Sequence, residues 1–152
     1  MNIRSYLLPI TFVFLFSLQC DAQSSKKEDK IDVAYHSCIG KDTSYANICD
    51  CAFTAYGKWN SEMEDTYKRL LKALKTENEK TALTAAQTAW ESYRDAEFAA
   101  FDNMFNHPGG YWGGIRQNGR IDLVRARTQQ LMNYENDLKK AGVHNRGKKK
   151  LK

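Results

Sequence analysis

The sequence predicts an all-α fold: a three-helix antiparallel bundle with a short N-terminal segment tethered by a disulfide. Three observations predict it. Apolar residues recur at steps of three and four over long stretches. The chain holds only two prolines and nine glycines in 152 residues, which leaves room for long regular elements. No segment alternates polar and apolar residues as a half-buried strand does. With 42% hydrophobic and 27% charged residues, the composition is that of a single globular domain, and wholesale disorder is excluded. The one long apolar run is N-terminal, which excludes a polytopic membrane protein.

That run belongs to targeting. Met1 to Arg4 is short and basic, Tyr6 to Leu18 is almost wholly apolar, and the chain turns polar at Gln19. This is the order of a secretory signal. The run is shorter than the about 20 residues a membrane anchor needs. Cys20 and Ala22 occupy the small-residue positions of a cut after Ala22, so residues 1–22 are expected to be removed and the mature chain to begin at Gln23. The expected destination is periplasmic or secreted. The alternative is a membrane-anchored lipoprotein carrying lipid on Cys20, against which Ser17 and Gln19 stand where a leucine-like and a small residue are wanted. Residues 23–30, polar and mixed in charge, read as a flexible leader to a helical domain over 31–142.

The first long helix follows from the stripe Tyr45, Ile48, Ala52, Tyr56, Trp59, Met63, Tyr67, Leu70 and Leu74, with Ser44 placed to cap it. Thr76 and Glu79 form a capping-box pattern that restarts the chain as a second helix. Its stripe is Leu83, Ala86, Trp90, Tyr93, Glu97, Phe101 and Phe105, with Phe98 widening the buried face. Asn106 to Gly114 holds one proline and four glycines and reads as a loop, extended here to Asn118. A third helix is expected from about Asn118, with the stripe Ile121, Val124, Thr128, Leu131, Tyr134 and Leu138, ending at Gly142.

The last nine residues carry Arg146, Lys148, Lys149, Lys150 and Lys152, five cations that equal the whole net charge of +5. The body is therefore near neutral, and residues 143–152 read as a basic disordered tail that aids solubility. Weak contact with an anionic envelope is within its chemistry. A nucleic-acid partner is not expected of an exported chain.

Cys38, Cys49 and Cys51 remain after export into an oxidising compartment, so one bridge is expected. Cys49 and Cys51 point to different helix faces and should not pair with each other, which leaves Cys38 to reach either. A loop of about 14 residues closed this way contributes roughly 3 kcal/mol. A zinc site from His36, Cys38, Cys49 and Cys51 has the right residue types, but the H-x-C and C-x-C spacings are not those of zinc knuckles. No metal and no cofactor are expected. His36, His107 and His144 are scattered, and no nucleophile triad, metal helix or phosphate loop accompanies them. The chain is therefore not read as an enzyme.

Three blocks carry a family pattern. The first is Cys51-Ala52, Tyr56, Met63, Tyr67 and Leu70-Leu71. The second is Leu83 to Trp90, with Gln87, followed by Tyr93-Arg94-Asp95-Ala96-Glu97. The third is Leu123, Arg125, Arg127-Thr128 and Leu131. Together they resemble the LprI-like lysozyme-inhibitor domain family, over roughly Cys38 to Leu138. The resemblance implies a Cys38–Cys51 bridge with Cys49 left over. It also implies a second bridge at Phe98 and Gly119, where both cysteines are lost. Glu64 and Val124 stand where the pattern commonly has asparagine and threonine.

The resemblance implies an exported protein that binds and blocks a lysozyme or another cell-wall hydrolase. A non-catalytic envelope scaffold with no lysozyme target is the alternative. Trp59, Tyr67, Gln87, Trp90, Tyr93, Arg94, Asp95, Arg125 and Arg127 are expected to be a structural signature. Trp59 and Trp90 are expected in the core, and Arg94 paired with Glu64 or Asp95. The inhibitory contact is expected in the loop, through His107, Tyr111, Trp112 and Arg116. Lysozymes are typically basic and this body is neutral, so binding would rest on local fit rather than on steering.

Overall fold

The computed structural model describes residues 28–150. The expected signal peptide, Cys20 and most of the leader lie outside the described residues. The described residues form four helices: α1 (Lys30–Ile39), α2 (Tyr45–Ala73), α3 (Glu77–Met104) and α4 (Gly110–Lys150). The all-helical expectation holds, but the bundle has four helices rather than three.

The added helix is α1, the segment expected only as a tether. Asp29 caps it, its carboxylate accepting from the Ile31 amide at 2.8 Å. Ten residues are too few for an isolated helix to be stable in water. Docking holds it: Tyr35 is buried, and Ile31, Cys38 and Ile39 pack against the core. The Cys38–Cys51 disulfide fastens its C-terminal end to α2, across a Cα–Cα distance of 5.9 Å. This is the pairing the family resemblance implies.

Between α1 and α2, Asp42 accepts from the Ser44 amide and hydroxyl at 2.8 and 2.9 Å, and Ser44 caps Asn47. α2 buries Cys51, Ala52, Ala55, Trp59, Met63, Thr66 and Leu70 along one face. The capping box forms as the sequence predicts: the Glu79 amide donates to Thr76 Oγ1 at 3.2 Å, and Glu79 Oε2 accepts from the Thr76 amide at 2.8 Å.

α4 differs most from expectation. It starts at Gly110 rather than near Asn118, and it passes Gly142 to reach Lys150. Most of the expected Asn106–Asn118 loop is therefore helix, and residues 143–150 are helical where an irregular tail was expected. The true turn is short and pivots on Gly109, whose φ of 105° is in the left-handed region. Gly110, Gly113 and Gly119 serve close packing. A Cβ on Gly113 would lie 2.6 and 2.8 Å from Tyr45 ring carbons and closer still to its hydroxyl, and one on Gly119 would lie 2.9 Å from the Phe101 ring. A run that reads as loop by composition is a helix face shaved to seat aromatic rings.

Side-chain partners fix the register. Trp59 meets Thr128, and Arg69 meets Glu135, so α2 and α4 run parallel. Asp32 meets Trp59 and Tyr35 meets Asn118, so α1 is antiparallel to both. Tyr67 with Thr84, and Arg120 with Asp102, set α3 antiparallel as well. The core lies along the α2–α4 seam, where Trp59, Met63, Leu70, Ile121, Val124 and Leu131 are fully buried.

Two expectations about the core are corrected. Trp90 is half-buried and Tyr93 is exposed, because α3 stands off the seam and buries only Gln87. Tyr45, Tyr134 and Leu138 are also exposed, at the two ends of the stripes.

Candidate functional site

The turn between α3 and α4 gathers an aromatic cluster. Phe101 stacks near Phe105, and Phe105 near Trp112, with centroids 6.4 and 6.3 Å apart. His107 lies 4.7 Å from the Trp112 ring, and Tyr111 meets the same ring edge-on at 5.3 Å. Three of the four residues expected to make the inhibitory contact are therefore brought together. They sit on a short turn and the first helical turn of α4, not on a long loop. Tyr111 is 74% exposed, while Trp112 is half-buried and backs the other two rings.

Arg116 is placed differently. Its Nη1 donates to the Phe105 carbonyl, and its Nε lies 4.0 Å from Asp102. It satisfies the Phe105 carbonyl at the end of α3 and holds the turn, rather than standing free. Arg120 repeats the device one turn on, with both Asp102 oxygens within 2.7 Å of its Nη2.

The signature residues divide by location. Trp59 is buried, and its indole N–H donates to Asp32 Oδ1 at 3.0 Å. Arg125 Nε lies 3.3 Å from the same oxygen, a charge contact without hydrogen-bond alignment, and Arg125 Nη2 meets Asp122 at 2.9 Å. Arg127 is buried, and burial pulls its guanidinium below the usual arginine range. Gln87 Oε1 accepts from its Nε and Nη2 at 3.1 and 3.0 Å. Arg94 pairs with Asp95 at 2.7 Å, one of its two expected partners, and lies over the Trp90 ring with its guanidinium carbon 5.5 Å from the centroid. Glu64 pairs instead along its own helix with Asn60. Tyr67 is half-buried and bonds Thr84.

Asp32 is the residue sequence reasoning missed. A buried carboxylate on α1 joins that helix to both α2 and α4. The one available signal was an acid among Ile31, Tyr35, Cys38 and Ile39, on a segment that had not been read as a helix. With Cys38 and Cys51 bonded to each other, the zinc tetrad loses two of its four ligands. Cys49 is a free thiol, and its hydrogen bond to Tyr45 raises that phenol above its ordinary range.

Beside the aromatic cluster lies a groove of about 450 Å³, walled by the end of α1, the start of α2 and the first turns of α4. Tyr35, Tyr45, Tyr111, Thr43 and Asn118 are among its lining residues. A second, more apolar groove of about 470 Å³ lies at the far end, between Leu70, Leu74, Leu83, Tyr134 and Leu138.

The sequence pattern of the lysozyme inhibitor LprI matches residues 38–131. The chain belongs to the LprI lysozyme-inhibitor family. The LprI match begins at the first bridge cysteine, ends at the last fully buried leucine of α4, and spans the signature and the aromatic turn. No curated protein matches the chain. Among solved structures, the crystal structure of an uncharacterized protein from Burkholderia thailandensis is similar, with a TM-score of 0.69 and 22% identity. The similarity covers 76% of this chain and 58% of that one, so the LprI-family chain spans little more than half of that protein's length. At this identity the likeness shows the fold alone. Among the described residues, no helix is long and apolar enough to cross a membrane.

Proposed function

We propose that this protein is an exported inhibitor that binds and blocks a cell-wall-cleaving muramidase. Membership of the LprI family over residues 38–131 carries the reading. The family is one of inhibitors rather than catalysts, so the chain acts by occupying its target. A muramidase cleft presents two carboxylic groups along a sugar-binding channel. The α3–α4 turn offers matching chemistry: a projecting Tyr111, the His107 imidazole against Trp112, and a rigid aromatic base. Aromatic anchors of this kind dominate protein interfaces. In this reading Arg116 positions the turn through Phe105 and Asp102. The proposal includes export with cleavage after Ala22, and a basic tail free to touch anionic envelope polymers.

The test is a wall-lysis assay in which purified mature protein is titrated against chicken-type and goose-type lysozymes. Dose-dependent slowing of at least one class is expected. Tyr111→Ala and His107→Ala should reduce potency about tenfold with melting unchanged, the scale of a lost interface anchor. If neither class is slowed, the reading is wrong. If turn variants inhibit like the parent while a folded Arg94→Ala does not, the contact lies on α3. Intact mass of exported material should match a chain beginning at Gln23, and a diacylated Cys20 would replace secretion with a membrane tether.

A further inference from the structure

The groove beside the aromatic turn has a lining unlike a helix-packing seam. Tyrosines stand on three of its elements: Tyr35 from α1, Tyr45 from α2 and Tyr111 from α4. Tyr111 is 74% exposed and offers its ring to a ligand, while Tyr45, 48% exposed, is seated against Gly110 and Gly113 and offers only its outer part. Among the described residues, no carboxylate, amine or guanidinium lines the groove, which selects against phosphates, nucleotides and charged peptides. Its volume, about 450 Å³, is in the range of small-molecule sites.

We propose that this groove binds a neutral N-acetylated saccharide, the chemistry of cell-wall glycan. A pyranose ring presents apolar C–H faces and a polar rim, and tyrosine answers with an apolar ring and a polar tip. The amide of Asn118 supplies orientation. Its Oδ1 accepts from the buried Tyr35 hydroxyl at 2.7 Å, which fixes which end of the amide is engaged. Its Nδ2 donor has no partner among the described residues and is available to an acetamido carbonyl. Thr43 adds a hydroxyl that can both donate and accept. Gly114 leaves the α4 wall bare, since a Cβ built there meets nothing within 4 Å. The groove shares Tyr111 with the turn proposed to inhibit, but sugar binding does not require that the turn inhibit a lysozyme. Only the choice of wall glycan as the source rests on the export reading.

The experiment titrates the mature protein with the N-acetylglucosamine trimer, followed by intrinsic fluorescence and amide chemical shifts. A parallel arm measures co-sedimentation with insoluble peptidoglycan and separates wall glycan from soluble sugar as the source. Saturable change at millimolar trimer is expected, centred on α1, the start of α2 and the first turns of α4. The glucose trimer, lacking acetamido groups, should bind about tenfold more weakly, the scale of one lost hydrogen bond. Asn118→Asp keeps the acceptor for Tyr35 and removes the donor, so it should weaken the N-acetylated trimer by a similar factor. Gly114→Leu fills the wall and should abolish binding while melting stays level or rises, because a helical glycine has been replaced.

Absence of saturable change, equal affinity for the glucose trimer, or indifference to both substitutions would overturn the proposal. Binding of soluble trimer without co-sedimentation overturns wall glycan as the source. Sugar binding in a protein that slows no lysozyme would remove the inhibitory reading and leave this one standing. Inhibition without sugar binding would do the reverse.

Discussion

The α2–α4 seam and the α3 arm look alike as sequence and behave differently as structure. Each is a long stripe of apolar residues at steps of three and four. Along the seam, Trp59, Met63, Leu70, Ile121, Val124 and Leu131 disappear from solvent. Along α3 only Gln87 is buried, and Leu83, Trp90 and Phe98 lie half-covered at the edge of the core. The difference comes from who is within reach. α2 and α4 approach closely enough for Thr128 to donate to the Trp59 carbonyl at 3.3 Å. α3 is joined to the pair by long side chains: Gln87 to Arg127, Tyr67 to Thr84, and the Tyr56–Phe98 ring contact. A helical stripe reports that a face is apolar. It does not report how close the partner comes.

The sharpest break of this comparison is a pair of tryptophans. Trp59→Ala empties a fully buried site and removes the indole donor from Asp32, and should cost about 3–5 kcal/mol. Trp90→Ala removes a half-buried ring flanked by Arg94 and Arg127, and should cost about 1–2 kcal/mol, near the ordinary range for point changes. Denaturant unfolding of the two variants measures the gap directly. Equal losses would mean that α3 is as much a part of the core as α2.

Next in size is the Cys38–Cys51 bridge. Reduction, or Cys38→Ser with Cys51→Ser, should lower stability by about 3 kcal/mol in the chain-entropy picture. The effect should concentrate on α1, which is too short to persist without its tether and its packing. Amide exchange should rise over residues 30–39 while the α2–α4 seam stays protected. Uniform loss of protection would show that α1 belongs to one cooperative unit with the seam.

The arm itself is sharpened by Gln87. Its side chain is the one deep contact α3 makes, and it accepts two bonds from the buried Arg127 guanidinium. Gln87→Leu keeps the volume and removes the acceptor, leaving Arg127 to Gln130 and the Trp90 face. The expected cost is about 1–3 kcal/mol, that of an unpaired buried donor. A neutral result would mean that α3 docks through its aromatic edge alone.

What the sequence made legible follows the same physics. Ser44, the Thr76–Glu79 box and the α2 and α4 stripes are local patterns, and local geometry realises them directly. The Cys38–Cys51 pairing came through the resemblance, since spacing alone left Cys49 open. The helix of α1 was hidden because ten residues show too few periods and their stability is tertiary. The start of α4 was hidden because Gly109, Gly110, Gly113 and Gly114 imitate a loop, and the purpose of Gly110 and Gly113 appears only when Tyr45 is in place. His107, Tyr111 and Trp112 were named from composition and are found together, whereas Arg116 was named for its charge and is engaged within the turn. The groove residues Tyr35 and Asn118 lie far apart in the chain, and no local pattern joins them.

The smallest effect probes the seam where it meets solvent. Burial pushes the Glu135 carboxyl up, but hydrogen bonds from Lys139 and Arg69 outweigh it and bring the group below its ordinary value of 4.5. Arg69 reaches Glu135 from α2 at 3.3 Å and Glu62 on its own helix at 3.2 Å, so the carboxylate links the two seam helices. A carboxyl lowered on folding stabilises the native state at pH values above its unfolded value. That contribution fades as pH falls from about 4.5 through the lower folded value. Glu135→Gln should therefore melt below the parent at neutral pH, by a small margin typical of a rim ion pair. The margin should shrink towards zero as the solution is acidified past the carboxylate range. A margin that stays constant from neutral to acid would show that the glutamate holds the seam by packing and not by charge.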